Sequence, residues 1–134
     1  QADFKRRTKS YALEIVRLVD ALPRTRTADV LGKQLLRCAT SVGANYRAAC
    51  RAKSPADFIA KMGIVEEECD ESLYWLELLV DAGLLIQNQH LSHLQREGNE
   101  LLSMTIASIR TARQNHPKTS RLSNPQSAIR NPQS

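Results

Sequence analysis

The stretch that decides the fold is Thr27 to Arg51, TADVLGKQLLRCATSVGANYRAACR. Read at about 100° per residue, it has two faces. One carries Leu31, Leu35, Cys38, Val42, Asn45, Tyr46 and Ala49, an apolar stripe with an amide set into it. The other carries Lys33, Arg37, Thr40, Ala44, Arg47 and Arg51 at alternating spacings of four and three, a straight basic seam with small residues at its middle. This is an amphipathic helix with a core side and a charged side. Thr27 is read as its N-cap, with Asp29 in a first turn that favours acids. Gly43 lies in the interior, where it costs up to about 1 kcal/mol against Ala. With Ala39, Ala44, Ala48 and Ala49 it thins the helix and admits a neighbouring backbone. Asn45 needs a hydrogen-bond partner if buried, and Ser41, one turn earlier, is placed to supply one.

The same period continues on either side. Upstream, Asp3 is read as the N-cap of a first helix running to about Ala21, with Phe4, Tyr11, Ile15, Leu18, Val19 and Leu22 inward. Lys5, Arg6, Arg7 and Lys9 crowd its first turns, where the helix dipole disfavours cations, a mild pointer to an anionic partner. Pro23 ends it. Downstream, Ser54, Pro55 and Asp57 occupy the cap, first and third positions of a third helix predicted to reach about Ala82, with Gly83 as its C-cap. Its core stripe is Phe58, Met62, Val65, Cys69, Ser72, Leu73, Leu76 and Val80. A second stripe of Ile64, Glu71, Trp75 and Leu78, with Glu68 alongside, exceeds what a monomeric bundle needs and is read as an oligomer interface. A fourth helix is predicted from about Gln89 to Asn115, with Leu91, Leu94, Leu101, Leu102, Ile106 and Ile109 inward and Pro117 as its stop.

Four long helices, short connections and no strand pattern predict an all-α fold, an antiparallel up-down-up-down four-helix bundle over residues 1–116. At 134 residues the chain has the length of one domain and buries roughly two thirds of its unfolded surface without staples. Residues 117–134 are polar and repeat NPQS at 124–127 and 131–134, which predicts a disordered low-complexity tail. Cys38, Cys50 and Cys69 form no CxxC pair and fall inside helical patterns, as reduced core thiols do. No apolar run approaches a membrane span and the first residues lack the apolar stretch of a signal peptide, so a cytoplasmic protein with no membrane partner is expected.

The net charge of +5 conceals a segregation. Residues 1–53 hold 12 Lys and Arg against 4 Asp and Glu, residues 54–116 hold 4 against 10, and the tail adds three cations and no acid. The basic and acidic halves therefore pair with each other, or each presents its field to a partner. No catalytic constellation is found, and no enzyme, cofactor or metal is expected. The acids of EEECDE, Glu66 to Glu71, radiate around a helix instead of converging, and no His follows at Glu-x-x-His spacing. They read as a solvated or salt-bridged face, with Glu68 and Glu71 set to meet Arg37 or Arg47 of another helix or subunit. His90 and His93 lack further ligands nearby and read as surface residues. Two functions fit this pattern. In the first, the seam Lys33, Arg37, Arg47 and Arg51, with the basic N-terminal turns, contacts the phosphates of RNA or DNA without reading sequence. Low aromatic content favours duplex or structured RNA over single strands. In the alternative, the charged faces of a structural or adaptor bundle serve self-assembly or a protein partner.

The stretch KQLLRCATSVGANYRAA (33–49), followed by SPADFIAKMGIVEEECDESLYWLELLVDAGLL (54–85), resembles the four-helix-bundle family of proteins encoded in intervening sequences of bacterial 23S ribosomal RNA genes. The family pattern falls on Leu36-Arg37, Ser41-Val42-Gly43-Ala44-Asn45, Phe58, and Glu67 to Leu79, and the likeness spans about residues 8–112. Many relatives continue with Glu-Gly where this chain has Ala49-Cys50, so no role of that Glu transfers. The family is similar to the accessory protein of diversity-generating retroelements. That likeness implies a homo-oligomeric ring, a pentamer, with a basic surface that associates with nucleic acid and a reverse transcriptase. It implies no catalytic residues.

Overall fold

The structure, a computed structural model, describes residues 1–116, and the sequence readings of Pro117 and the 117–134 tail lie outside them. The described residues form an all-α bundle of four helices with no strand: α1 (Ala2–Asp20), α2 (Arg26–Cys50), α3 (Pro55–Asp81) and α4 (Gln89–Asn115). No helix among them is long and apolar enough to cross a membrane.

Local chemistry sets the helix ends. Ser54 accepts the Asp57 N–H at 3.0 Å and Pro55 occupies the first helical position of α3, while Asn88 accepts the Leu91 N–H at 2.8 Å to start α4. At the far end of α3, Gly83 (φ 78°) supplies the left-handed residue of a Schellman turn, in which the Leu84 N–H reaches Leu79 O at 2.9 Å. Two caps differ from expectation. α1 begins one residue before Asp3, which lies in the first turn paired with Arg6. α2 is capped by Thr25, whose hydroxyl accepts the Ala28 N–H at 3.1 Å; Thr27 lies inside the first turn. The earlier cap turns Ala28 into the core, where it is buried.

The helices pack around a ring, α1 on α2, α2 on α3, α3 on α4 and α4 on α1. Along α1 and α2 the contacts run in opposite senses: Phe4 meets the Tyr46 ring edge-on at 4.5 Å, Thr8 lies against Gly43, and Leu22 lies against Gly32. Leu35, Val42 and Leu76 are fully buried, as their periodicity predicts. The inward stripe of α3 is rotated from the predicted one. Ile59 and Leu79 are buried, whereas Phe58, Leu73 and Val80 are half-buried. On α4, Ile106 faces solvent and the buried positions include Gly98 and Thr105.

Tyr11 explains part of that shift. Its side chain crosses the bundle from α1 and brings its hydroxyl to 2.9 Å from Ser72 Oγ on α3. Ser72 donates its own proton to Cys69 O at 2.7 Å, so Tyr11 is the donor between the two hydroxyls. The Cys69 thiol in turn donates to Gly98 O at 3.3 Å. A Cβ on Gly98 would stand 2.8 Å from Leu73 Cδ2 and 2.9 Å from the Tyr11 hydroxyl, so only glycine leaves room for this node. Burial pushes the Cys69 and Cys38 thiols up to about 12, which keeps both protonated and inert at neutral pH. All three cysteines are free, Cys38 and Cys69 buried and Cys50 half-buried.

The α1–α4 contact carries an ion-pair cluster. Arg7 grips Glu97 with two bonds of 3.0 and 2.8 Å, reaches Glu100 at 2.5 Å and places Nη1 at 3.4 Å from Met104 Sδ. The Arg7 hydrogen bonds hold the Glu97 carboxyl below its usual range. A carboxyl lowered on folding stabilises the native state above its unfolded value of about 4.5 and loses that contribution as pH falls through the folded value. The melting temperature should therefore fall as pH drops from 5 towards 3. Arg7→Gln should flatten that slope, which a series of thermal melts across pH reads directly.

Candidate nucleic-acid interface

The basic seam of α2 meets α1 at its narrowest point. Thr8 is buried, its hydroxyl donating to Lys5 O at 3.1 Å, and a Cβ on Gly43 would lie 3.2 Å from that hydroxyl oxygen. The close approach leaves a groove of about 640 Å³ over the helix pair. Its floor is small: Thr40, Gly43 and Ala44 of α2, and Ala12 of α1. Its cations are Lys5, Arg6 and Lys9 of α1 and Arg47 of α2.

Helical spacing separates the basic residues of α1. Positions 5, 9 and 12 share the face that borders the groove, whereas Arg7 is turned towards α4 and held there by Glu97 and Glu100. Within the groove, Arg6 is paired with Asp3. Among the described residues no carboxylate lies within 4 Å of Lys5, Lys9 or Arg47. Three cations thus converge across a cleft with their charge uncompensated, an arrangement suited to a polyanion.

The four seam residues do not act together. Arg47 enters the groove, while Lys33 and Arg51 are exposed outside it. Arg37 is bonded to Glu68 at 3.1 and 3.2 Å and to Glu71 at 2.7 Å. Glu68 is the larger cause of its raised pKa. The pair is half-exposed and contributes little to stability, but it neutralises the middle of the seam. Sequence reading joined the basic N-terminal turns to the seam as a phosphate surface but did not single out Lys5 and Lys9 as the pair that stands across from Arg47. The signal was there in their i, i+4 spacing together with Gly43, the position that draws the two helices together.

The interface candidates lie on the α2–α3 flank. Glu68 and Glu71 meet Arg37 of the same chain, and the Trp75 indole N–H donates to Glu71 Oε2 at 3.1 Å. Trp75 packs half-buried against the core, with Tyr74 edge-on at 5.1 Å. Ile64 is 41% exposed and Leu78 half-buried. Asn45 is half-buried and donates to the Ser41 backbone carbonyl at 2.8 Å. The Ser41 hydroxyl is turned to Arg37 O at 2.8 Å. His90 reaches Glu14 at 3.2 Å, and no three metal-binding side chains converge among the described residues. A second opening, of about 670 Å³, runs between the start of α3 and the end of α4; Pro55, Phe58, Met104 and Ala112 share its lining with Ser54, Ser108, Thr111, Asn115 and His116, and no Lys or Arg borders it to supply a fixed positive charge.

The fold recurs elsewhere. Residues 1–107 match the family model described as 23S rRNA-intervening sequence protein. The chain belongs to that family. This intervening-sequence family member is also similar to a crystal structure from Bacteroides thetaiotaomicron described as a protein with unknown function from the S23 ribosomal protein family. The two are 35% identical with a TM-score of 0.73, over 79% of this chain and 97% of that one. No curated protein matches the chain.

Proposed function

We propose that this protein is a non-enzymatic, cytoplasmic, homo-oligomeric bundle that binds nucleic acid by its phosphates along the α1–α2 groove. The observation that carries this reading is the convergence of Lys5, Lys9 and Arg47 across a small-residue floor with no carboxylate partner among the described residues. Cationic side chains on rigid helices position a phosphate backbone and read no bases. One groove holds few phosphates and binds weakly. In a ring of identical subunits, a pentamer by resemblance, the groove repeats and weak contacts combine. The adaptor reading requires basic α2 of one subunit to meet acidic α3 of the next. Arg37, Glu68 and Glu71 already satisfy one another within the chain, which favours the phosphate reading. Titration of a fluorescent duplex RNA should give measurable affinity at 50 mM salt that falls steeply by 200 mM. An affinity insensitive to salt, or none at 50 mM, refutes the reading.

Assembly has its own test. On the α2–α3 flank Arg37 offsets part of the charge of Glu68 and Glu71, and Ile64 on one side of these acids and Trp75 and Leu78 on the other make a surface suited to a second copy. Leu78→Asp should convert the oligomer into folded monomers in sedimentation velocity. An unmutated protein that sediments as a monomer at micromolar concentration removes the interface altogether.

A further inference from the structure

Thr40 is the exposed hydroxyl on the groove floor, and its proton is already committed. It donates to Leu36 O at 2.7 Å, with Arg37 O at 3.1 Å as a second acceptor. The other groove hydroxyl, Thr8, is buried and likewise donates to its own helix. A hydroxyl with its proton engaged offers only lone pairs to a ligand. A phosphate oxygen, which also only accepts, gains nothing from it. A ligand that leaves this bond in place meets Thr40 as an acceptor and brings a donor to it, beside the cations Lys9 and Arg47.

The chemistry that supplies a donor between two phosphates is a ribose 2′-hydroxyl. We propose that Thr40 makes the groove selective for RNA over DNA, by accepting a hydrogen bond from a 2′-hydroxyl while Lys5, Lys9 and Arg47 hold the phosphates that follow along the groove. This inference rests on the phosphate-binding reading of the groove and adds the sugar to it. The floor of Gly43, Ala44 and Ala12 is what lets a sugar edge come down to the helix surface, since a long side chain at any of the three would hold it off. Selectivity of this kind is carried by one hydrogen bond, so its size is modest, on the order of 5-fold.

Because RNA and DNA duplexes also differ in shape, the test compares an RNA duplex with the same duplex carrying 2′-fluorine in place of the hydroxyl. The fluorinated strand keeps the RNA-like helix and cannot donate. The full-length protein should bind the RNA about 5-fold tighter at one fixed salt concentration. Thr40→Val should lower RNA affinity to that of the fluorinated duplex, and Thr40→Ser should keep the difference, with thermal melts showing that both variants fold. Equal binding of the two duplexes by the unmutated protein, or a difference that survives Thr40→Val, overturns the role of Thr40 and leaves the phosphate reading standing. Failure of both duplexes to bind at low salt overturns both readings.

Discussion

Gly98→Val is expected to destabilise the bundle by about 3–5 kcal/mol, a large share of the roughly 5–15 kcal/mol that holds a domain together. The added Cβ alone would stand 2.8 Å from Leu73 Cδ2 and 2.9 Å from the Tyr11 hydroxyl. Leu73 is half-buried and can shift; Tyr11 is fixed at the centre of the bundle with 1% of its surface exposed. Relieving the clash by moving the Tyr11 ring breaks its bond to Ser72 and strands a buried hydroxyl, so the steric cost of overpacking and the polar cost of an unmade bond add. The β-branched valine adds two methyls that the Cβ distances leave no room for. Denaturant melts should show the midpoint falling sharply. Gly98→Val within 1 kcal/mol of the unmutated protein would mean that Tyr11 does not fill the space beside α4. Tyr11→Phe in the Gly98→Val background should recover part of the loss, because it removes both the clashing oxygen and the stranded hydroxyl.

The second large effect concerns binding. Lys9→Glu combined with Arg47→Glu should lower affinity for duplex RNA by about 100-fold or more at 50 mM salt, as two phosphate contacts become two repulsions. The loss should be similar for unrelated sequences, since phosphate contacts carry no base information. Both side chains are exposed and free of intrachain carboxylates among the described residues, so the double variant should fold and keep its oligomeric state. Dissociation of the oligomer with unchanged RNA affinity would move Arg47 from the nucleic-acid surface to the assembly surface.

Periodicity carried the helices, because a stripe at 3.6 residues per turn needs only chain-local information. Gln89–Asn115 of α4 and the Ser54 cap of α3 follow from it directly. What it missed depends on how the helices meet. Gly98 carries no hydrophobicity, so no stripe includes it, yet it decides where Tyr11 lies. Thr8 and Thr105 are polar by type and buried in fact, each with its hydroxyl bonded to a backbone carbonyl of its own helix, as is Ser72, which the predicted stripe did include. Ile106 follows the inward spacing but lies 36% exposed. The candidate site was half legible. Arg47 and the small residues beside it were visible on one helix and the basic N-terminal turns were expected to join them, but which of those cations border the groove depended on Gly43 bringing α1 against α2. Glu68 and Glu71 were set to meet Arg37 or Arg47, which are identical in character on a helical wheel; that they claim Arg37 of the same chain, 31 and 34 residues away, is a choice no local pattern makes.

The dependence of RNA affinity on salt, measured side by side for the unmutated protein and the Lys9→Glu/Arg47→Glu double variant, tests the phosphate-binding groove most directly. Each neutralised phosphate releases close to one counterion, so the slope of log affinity against log salt counts the contacts. Where one groove engages the duplex, the unmutated protein should show a slope of roughly −3, and the double variant should lose about two units of it. Several subunits engaging at once would steepen the first slope and enlarge the loss in proportion. Equal slopes for the two proteins would contradict the account, because the contacts would then be made elsewhere on the chain.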